Sequence, residues 1–390
     1  MRHDRDVTSL AEQFDELTPE LLQARGSLKW TMFPGAIGAW VAEMDFGIAD
    51  CISDALLQMQ ERGLYGYTPP VLSAELREAC ATFQRERHGW NVDPTQVAVV
   101  PDVLSVFHQI IDRYLRADSK IIVPTPNYMP FFTIPPAHAR EVIQVPVINH
   151  GDGYSMDLEG LEQAFAAGGE LLVLTNPHNP IGKVYTREEL LAISEVVERN
   201  GGLVFADEIH APLVFNGHKH VPYASLNETT AAHTITATSA SKAWNLAGLK
   251  CAQVIFTNPL QQQYWVDKVE RHLGDAAMPG VLANTAAYRN GAQWLAEVTE
   301  YVQGNRDFVV SELTSRIPGV KVIPPQGTYL VWVDCTALGY PNAQQHFLEA
   351  GVATNDGLAC GDVGEGFVRI NLATGRKALE VLVERMVQAA

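Results

Sequence analysis

Four segments hold residues whose types and spacing could do chemistry. The first is Ser239-Ala240-Ser241-Lys242-Ala243-Trp244-Asn245-Leu246-Ala247-Gly248-Leu249-Lys250. A lysine just past an apolar run and flanked by hydroxyls can form an imine with an aldehyde cofactor. Ser239 and Ser241 can donate to phosphate oxygens, although a solvated lysine in a surface loop would look the same locally. The second is Asn176-Pro177-His178-Asn179-Pro180-Ile181-Gly182, a turn stiffened by two Asn-Pro pairs. It is either a plain structural connection or a mount that aims the Asn179 amide at a ligand oxygen. The third, Ala206-Asp207-Glu208-Ile209-His210, ends an apolar run in an acid. A buried aspartate stays ionised when a cation faces it, and a protonated pyridine nitrogen is such a cation. A helix cap and a salt bridge are the other uses of Asp207. A metal site is a weaker option, because no zinc-type motif accompanies Asp207 and His210. The fourth, Gly366-Phe367-Val368-Arg369-Ile370-Asn371, sets an arginine among apolar neighbours. Its planar fork suits a substrate carboxylate, and a buried structural ion pair would also satisfy it.

These residues lie far apart in the chain, so elements must bring them together. Residues 170–175, ELLVLT, read as a buried strand. After the NPHNPIGKVY loop, Thr186-Arg187-Glu188-Glu189 reads as a capping box. Leu190, Leu191, Ile193, Val196 and Val197 then recur at helical spacing, and Asn200-Gly201-Gly202 ends the helix. LVFA at 203–206 is the next strand and stops at Asp207. Strand, helix, strand in about 40 residues is a βαβ unit and predicts a parallel sheet. VAVV at 97–100 stops at Pro101-Asp102 before a helix starting near Val103; IIV at 121–123 stops at PTPNY; TITATS at 234–239 stops before Ser241-Lys242. The polar residues after these strands thus lie just beyond their carboxyl ends, the edge where open α/β sheets bind ligands. TYLVWVDC at 328–335 and FVRINLA at 367–373 are further strands. A large domain over 48–285 and a smaller α+β domain from 1–47 and 286–390 accommodate the pattern.

Bulk composition narrows the function classes. The chain has 390 residues, 47% hydrophobic, and a formal net charge of −17. It can bury a large core, and its acidity disfavours nucleic acid and anionic membranes as partners. Cys51, Cys80, Cys251, Cys335 and Cys360 are scattered, with no C-x-x-C pair, which suggests reduced thiols in the cytoplasm. MRHDRDVTSLAEQFDEL lacks the apolar core of a signal peptide, and no apolar run is long enough to span a bilayer.

The four segments, with WVAEMDF at 40–46, GYTPP at 66–70 and DEIHAPLVF at 207–215, make the sequence resemble fold-type I pyridoxal 5′-phosphate (PLP) enzymes, the aspartate-aminotransferase superfamily. Within it the wording looks like the MalY/PatB-type cystathionine β-lyases, or C–S lyases; His210 stands where many aminotransferases of the fold carry tyrosine. The resemblance runs from about residue 28 to 385 and implies an α/β fold with a large, mainly parallel-sheet PLP domain. It implies that Lys242 holds PLP as a Schiff base, that Asp207 partners the pyridine nitrogen, and that Asn179 donates to the ring's phenolic oxygen. Tyr128 would stack on the ring beside His210. Val103 and Leu104 N–H groups, Ser239, Ser241 and Lys250 would meet the phosphate. Arg369 would bind the substrate carboxylate, with Trp40, Ala42, Tyr65, Tyr67 and Met129 around the substrate. Tyr67 would act in the neighbouring subunit's site, which implies a homodimer. Two departures stand out: Asp102 must point away from a phosphate, for instance by capping its helix, and Lys250 replaces an arginine fork. The reaction implied is α,β-elimination on a small sulfur amino acid, with no metal. The alternatives are transamination by the same lysine, aspartate and arginine, and a regulatory binding role with secondary lyase activity.

Overall fold

A computed structural model describes residues 9–390; the first eight residues of the stretch read for a signal peptide lie outside the described residues. The predicted strands form, with small shifts at their ends. Together with two that the sequence reading lacked, they are β1 (Val97–Val100), β2 (Lys120–Thr125), β3 (Val142–Pro146), β4 (Gly169–Thr175), β5 (Leu203–Asp207), β6 (Thr234–Thr238) and β7 (Ala252–Phe256). They make a seven-stranded sheet in the order β1-β7-β6-β5-β4-β2-β3. Strands β3, β2, β4, β5 and β6 are mutually parallel. The central positions of β2, β4, β5 and β6 are buried because helices cover both faces, which is why these four read as continuous apolar runs.

Strands β3 and β7 were not read from sequence. β3 carries Gln144 and has one fully buried position, so it lies at an edge. β7 runs antiparallel to both β1 and β6. Reversal places the start of β7, with Lys250 and Cys251 just before it, at the same edge as the carboxyl ends of the other strands. A single antiparallel strand therefore adds Lys250 to the cluster.

Helix α1 (Val103–Arg113) follows β1, and Asp102 caps it by accepting the Ser105 N–H at 2.8 Å. Helix α2 (Arg187–Arg199) starts at the predicted capping box, in which Thr186 and Glu189 satisfy each other's backbone N–H. A second sheet, β8 (Leu330–Asp334), β9 (Asn355–Asp356) and β10 (Phe367–Asn371), is antiparallel in the order β8-β10-β9. The chain ends meet where Ile37–Gly38 pairs with Val352–Ala353. One continuous apolar core joins Phe14, Trp30, Trp244, Leu330 and Leu379, so the elements on either side of the site are packed as a unit. No helix among the described residues is long and apolar enough to cross a membrane, and all five cysteines are free.

Candidate active site

The strand ends converge on a cavity of about 190 Å³ whose lining includes Ala42, Asp102, Val103, Leu104, Tyr128, Asn179, Asp207, His210, Ser239, Ser241, Lys242 and Lys250. Asp102 and Lys250, 148 positions apart in sequence, reach one space because the parallel strands end on the side where antiparallel β7 begins.

Asp207 terminates β5 and is buried. Its carboxylate accepts only the Ile209 N–H, at 3.2 Å, and forms no ion pair among the described residues. Burial pushes the carboxyl up to about 7, with the Ile209 N–H and the Lys242 charge opposing the shift and Glu208 adding to it. A carboxylate so placed is a receptor for a cation that the protein does not itself supply. Lys242 borders the cavity and donates from Nζ to the Ala42 carbonyl at 2.9 Å. Enclosure of the amine, then the positive Arg369, lowers it to about 8, while Asp207 and Glu43 act the other way. An amine in that range is more available as nucleophile and base than an ordinary lysine.

Arg369 lies on β10 and is 2% exposed. No carboxylate pairs with it among the described residues, so the ion-pair reading is excluded. Instead Nη1 donates to Asn179 Oδ1 at 3.1 Å, Nη2 to the Trp40 carbonyl at 2.9 Å and to Asn355 Oδ1 at 2.5 Å, and Nε has no partner. A buried guanidinium held only by neutral acceptors lacks a counter-charge, and a ligand carboxylate would provide it. Met129 touches the same group through Sδ, 3.8 Å from Nη1.

The strap at 40–46 is held over the cavity from several sides. Asn371 Nδ2 donates to the Val41 and Glu43 carbonyls at 2.6 and 2.7 Å, and Tyr329 donates to the Ala42 carbonyl at 3.0 Å. Asn245, at φ +60°, bonds Met44 through both ends of its amide. These three residues were missed in the sequence. Asn371 carried a signal, since it lies two residues from Arg369 on a strand and so shares its face; Tyr329 and Asn245 carried none.

The phosphate-side residues divide. The Val103 and Leu104 N–H groups open α1 and have no acceptor within the helix, which makes them suited to an anion. Ser241 lines the cavity and its hydroxyl is uncommitted. The Ser239 hydroxyl, by contrast, donates to the Cys251 carbonyl at 2.7 Å and accepts the Ser241 N–H at 3.0 Å, so its one proton is spoken for. Asp102 caps α1 as expected, yet its second oxygen is 3.4 Å from Lys250 Nζ, so this cation is shared with a carboxylate. Tyr128 borders the cavity and packs edge-on against Phe131. His210 is buried against Tyr329, its Nδ1 unpartnered. Burial first, then the Lys242 and Arg369 charges, holds it down to about 3, so its ring is neutral.

Five expected residues do not line the cavity of the single chain: Arg369 and Met129, which touch each other and reach it through Asn179, and Tyr65, Tyr67 and Trp40. Tyr65 and Tyr67 are 72% and 94% exposed. Trp40 turns its indole to Phe33 and to the Lys29 carbonyl and offers only its own carbonyl to Arg369. The indole faces that way because Nε1 finds its acceptor there, so the ring does not shape the pocket in this chain.

The residues present fit PLP. Asp207 awaits a cationic ring nitrogen, Lys242 has an amine for an aldehyde, Tyr128 offers a ring face, and the start of α1 with Ser241 offers donors to a phosphate. Comparison with known proteins agrees. The model of the aminotransferase class I and II family matches residues 41–386. The chain is 36% identical to the cystathionine beta-lyase of Corynebacterium glutamicum, over 96% of this chain and 99% of that one. It is 33% identical to the cystathionine beta-lyase PatB of Bacillus subtilis, over 88% and 90%. A proposed PLP-dependent beta-cystathionase structure from Corynebacterium diphtheriae superposes with a TM-score of 0.89 at 39% identity, covering 95% of this chain and 97% of that one.

Proposed function

The chain belongs to the aminotransferase class I and II family, and on that premise we propose that it is a PLP-dependent carbon–sulfur β-lyase that cleaves L-cystathionine or related cysteine S-conjugates to a thiol, pyruvate and ammonia. The observation that carries the reading is the pairing, in one cavity, of a buried acid with no ion-pair partner among the described residues, Asp207, with an amine lowered to about 8, Lys242. The relatives' activity selects the leaving group.

Lys242 would hold the cofactor, with Asp207 at the ring nitrogen, Asn179 at the phenolic oxygen, Tyr128 on the ring face, and Val103, Leu104, Ser241 and Lys250 at the phosphate. PLP when bound supplies an electron sink for the charge left on Cα when its proton is removed. Arg369 takes the substrate α-carboxylate as a fork, which fixes the direction of the Cα–H bond. Lys242 would accept that proton at Nζ, where lowered basicity keeps a usable fraction neutral near pH 7. The Ala42 carbonyl, 2.9 Å from Nζ, steadies the amine through one of its protons and leaves the lone pair free to face Cα. Neutral His210 adds no charge beside Asp207. The β-thiolate would then leave and take a proton to become the thiol, and water would hydrolyse the released aminoacrylate to pyruvate and ammonia.

We further infer a homodimer working in the cytoplasm. Exposed Tyr65 and Tyr67, large aromatics standing together on the surface, support a partner subunit over them, and five free thiols suit a reducing compartment.

Purified protein given L-cystathionine is expected to form pyruvate and free thiol with no keto acid added. A strict requirement for a keto-acid acceptor would instead establish transamination. Borohydride should fix the chromophore to Lys242, found by peptide mapping, and Lys242→Ala should lose the fixed adduct and at least ~100-fold in turnover.

A further inference from the structure

Apart from the cavity that Lys242 lines, two adjoining clefts of about 630 and 380 Å³ share His88, Lys219 and His220. Arg187 lines the larger and Arg87 the smaller, and neither lining contains an aspartate or glutamate. In a chain of net charge −17, a concave surface with cations alone is the opposite of the average. None of Arg87, Arg187 and Lys219 pairs with a carboxylate among the described residues; Arg187 only donates to the Leu226 carbonyl, at 2.9 Å.

Two imidazoles form the floor that the clefts share. His220 is 2% exposed and presents Nε2 to Glu208 Oε2 at 3.2 Å. Glu208 is buried and its other oxygen takes the Tyr223 N–H at 2.8 Å. With Nε2 committed to a carboxylate, Nδ1 is the remaining end of the ring, and it has no partner. His88 packs against it, ring centroids 4.9 Å apart at 73°, and its buried Nε2 is unpartnered as well. Arg87 and Lys219 both bear on His88 electrostatically. Unfilled buried nitrogens are uncommon and call for a missing partner. Here two of them adjoin three uncompensated cations.

We propose that these adjoining clefts bind a small phosphorylated molecule at a site distinct from the cofactor's, with Lys219 where the two meet, Arg187 on the larger side and Arg87 on the smaller around its phosphoryl groups, and His88 donating from the floor beside His220. The larger cleft has the volume of a small-molecule site. Donors that approach from several directions suit the three oxygens of a phosphoryl group better than the flat edge of a carboxylate. A nucleic acid would be repelled by the acidic remainder of the surface.

The test uses PLP-saturated enzyme, so that the cofactor's own phosphate cradle is filled, and inorganic pyrophosphate as probe. Calorimetry at low salt should show one pyrophosphate per chain with a Kd below ~1 mM. Side-chain NMR of labelled histidine should show the His88 and His220 signals moving in step with the titration. Arg87→Glu with Lys219→Glu should weaken binding by ~10-fold or more, Lys219→Gln by less, and turnover of L-cystathionine without pyrophosphate should stay unchanged in each. Citrate should bind more weakly. No saturable binding, equal affinity in the charge-reversed variant, or unmoved histidine signals would overturn the site; citrate binding as tightly would overturn the phosphoryl assignment.

Discussion

Burial moves Asp207 and Lys242 in opposite senses, and each shift ties stability to pH in the cofactor-free protein. The folded carboxyl of Asp207 titrates near 7 against an ordinary 3.8, so between those values the folded state binds more protons than the unfolded one. Its contribution is favourable in acid and is lost as pH rises from about 4 to about 7. The amine of Lys242 titrates near 8 against 10.5. Enclosing the ammonium is costly below 8, and stability recovers as pH rises from 8 toward 10.5. Thermal denaturation of cofactor-free Asp207→Asn should lack the decline between pH 4 and 7 seen in the parent. Lys242→Met should lack the alkaline recovery. An unchanged slope in either would remove the physical basis for the assigned roles. Arg369 answers to a different measurement. Lys in its place keeps the charge and loses the fork, so Arg369→Lys is expected to raise KM for L-cystathionine by ~10–100-fold, the value of a charged hydrogen bond or two, with a smaller change in kcat.

At the level of elements, α1 both supplies phosphate donors and carries a carboxylate at its cap. Asp102 accepts the Ser105 N–H and also neighbours Lys250, so two substitutions separate its functions. Asp102→Asn retains the cap while removing a negative charge from the cavity. It should leave Tm nearly unchanged and slow PLP dissociation, followed by absorbance after dilution. Asp102→Ala loses the cap and should cost about 1 kcal/mol of stability. Faster cofactor loss from Asp102→Asn would mean that the carboxylate helps hold Lys250 in place rather than competing for it. The strap at 40–46 is a second such element. It has little regular structure, and Asn371, Asn245, Tyr329 and Arg369 keep its carbonyls where Lys242 and the substrate meet them.

Across the whole molecule, Tyr67 stands 94% exposed while the cavity sits in the packed interior, so any catalytic use of Tyr67 is in a partner's site. Sedimentation should then give a dimer. Hybrids of Tyr67→Phe and Lys242→Ala subunits should regain activity that neither homodimer has in full, because one of the two shared sites is intact. Hybrids no better than the average of the two parents would place each site within one chain.

Much of this was legible before any coordinates. β4, β5 and β6 are continuous apolar runs because both faces are covered, and polar residues at or just past their carboxyl ends mark Asp207, Asn179 and Lys242 as candidates. The caps at Thr186 and Asp102 are local rules and appear where their side chains predict. Distance along the chain hid the rest. β7 reads like any apolar run, and only its pairing shows that it runs backwards and delivers Lys250. Trp40 looked like a pocket wall until its indole found an acceptor elsewhere, and Ser239 looked like a free hydroxyl until the Cys251 carbonyl accepted its hydrogen bond. Side-chain types and local order are set by neighbours in sequence; which polar group is left without a partner depends on contacts between segments hundreds of residues apart, and only the folded chain decides that.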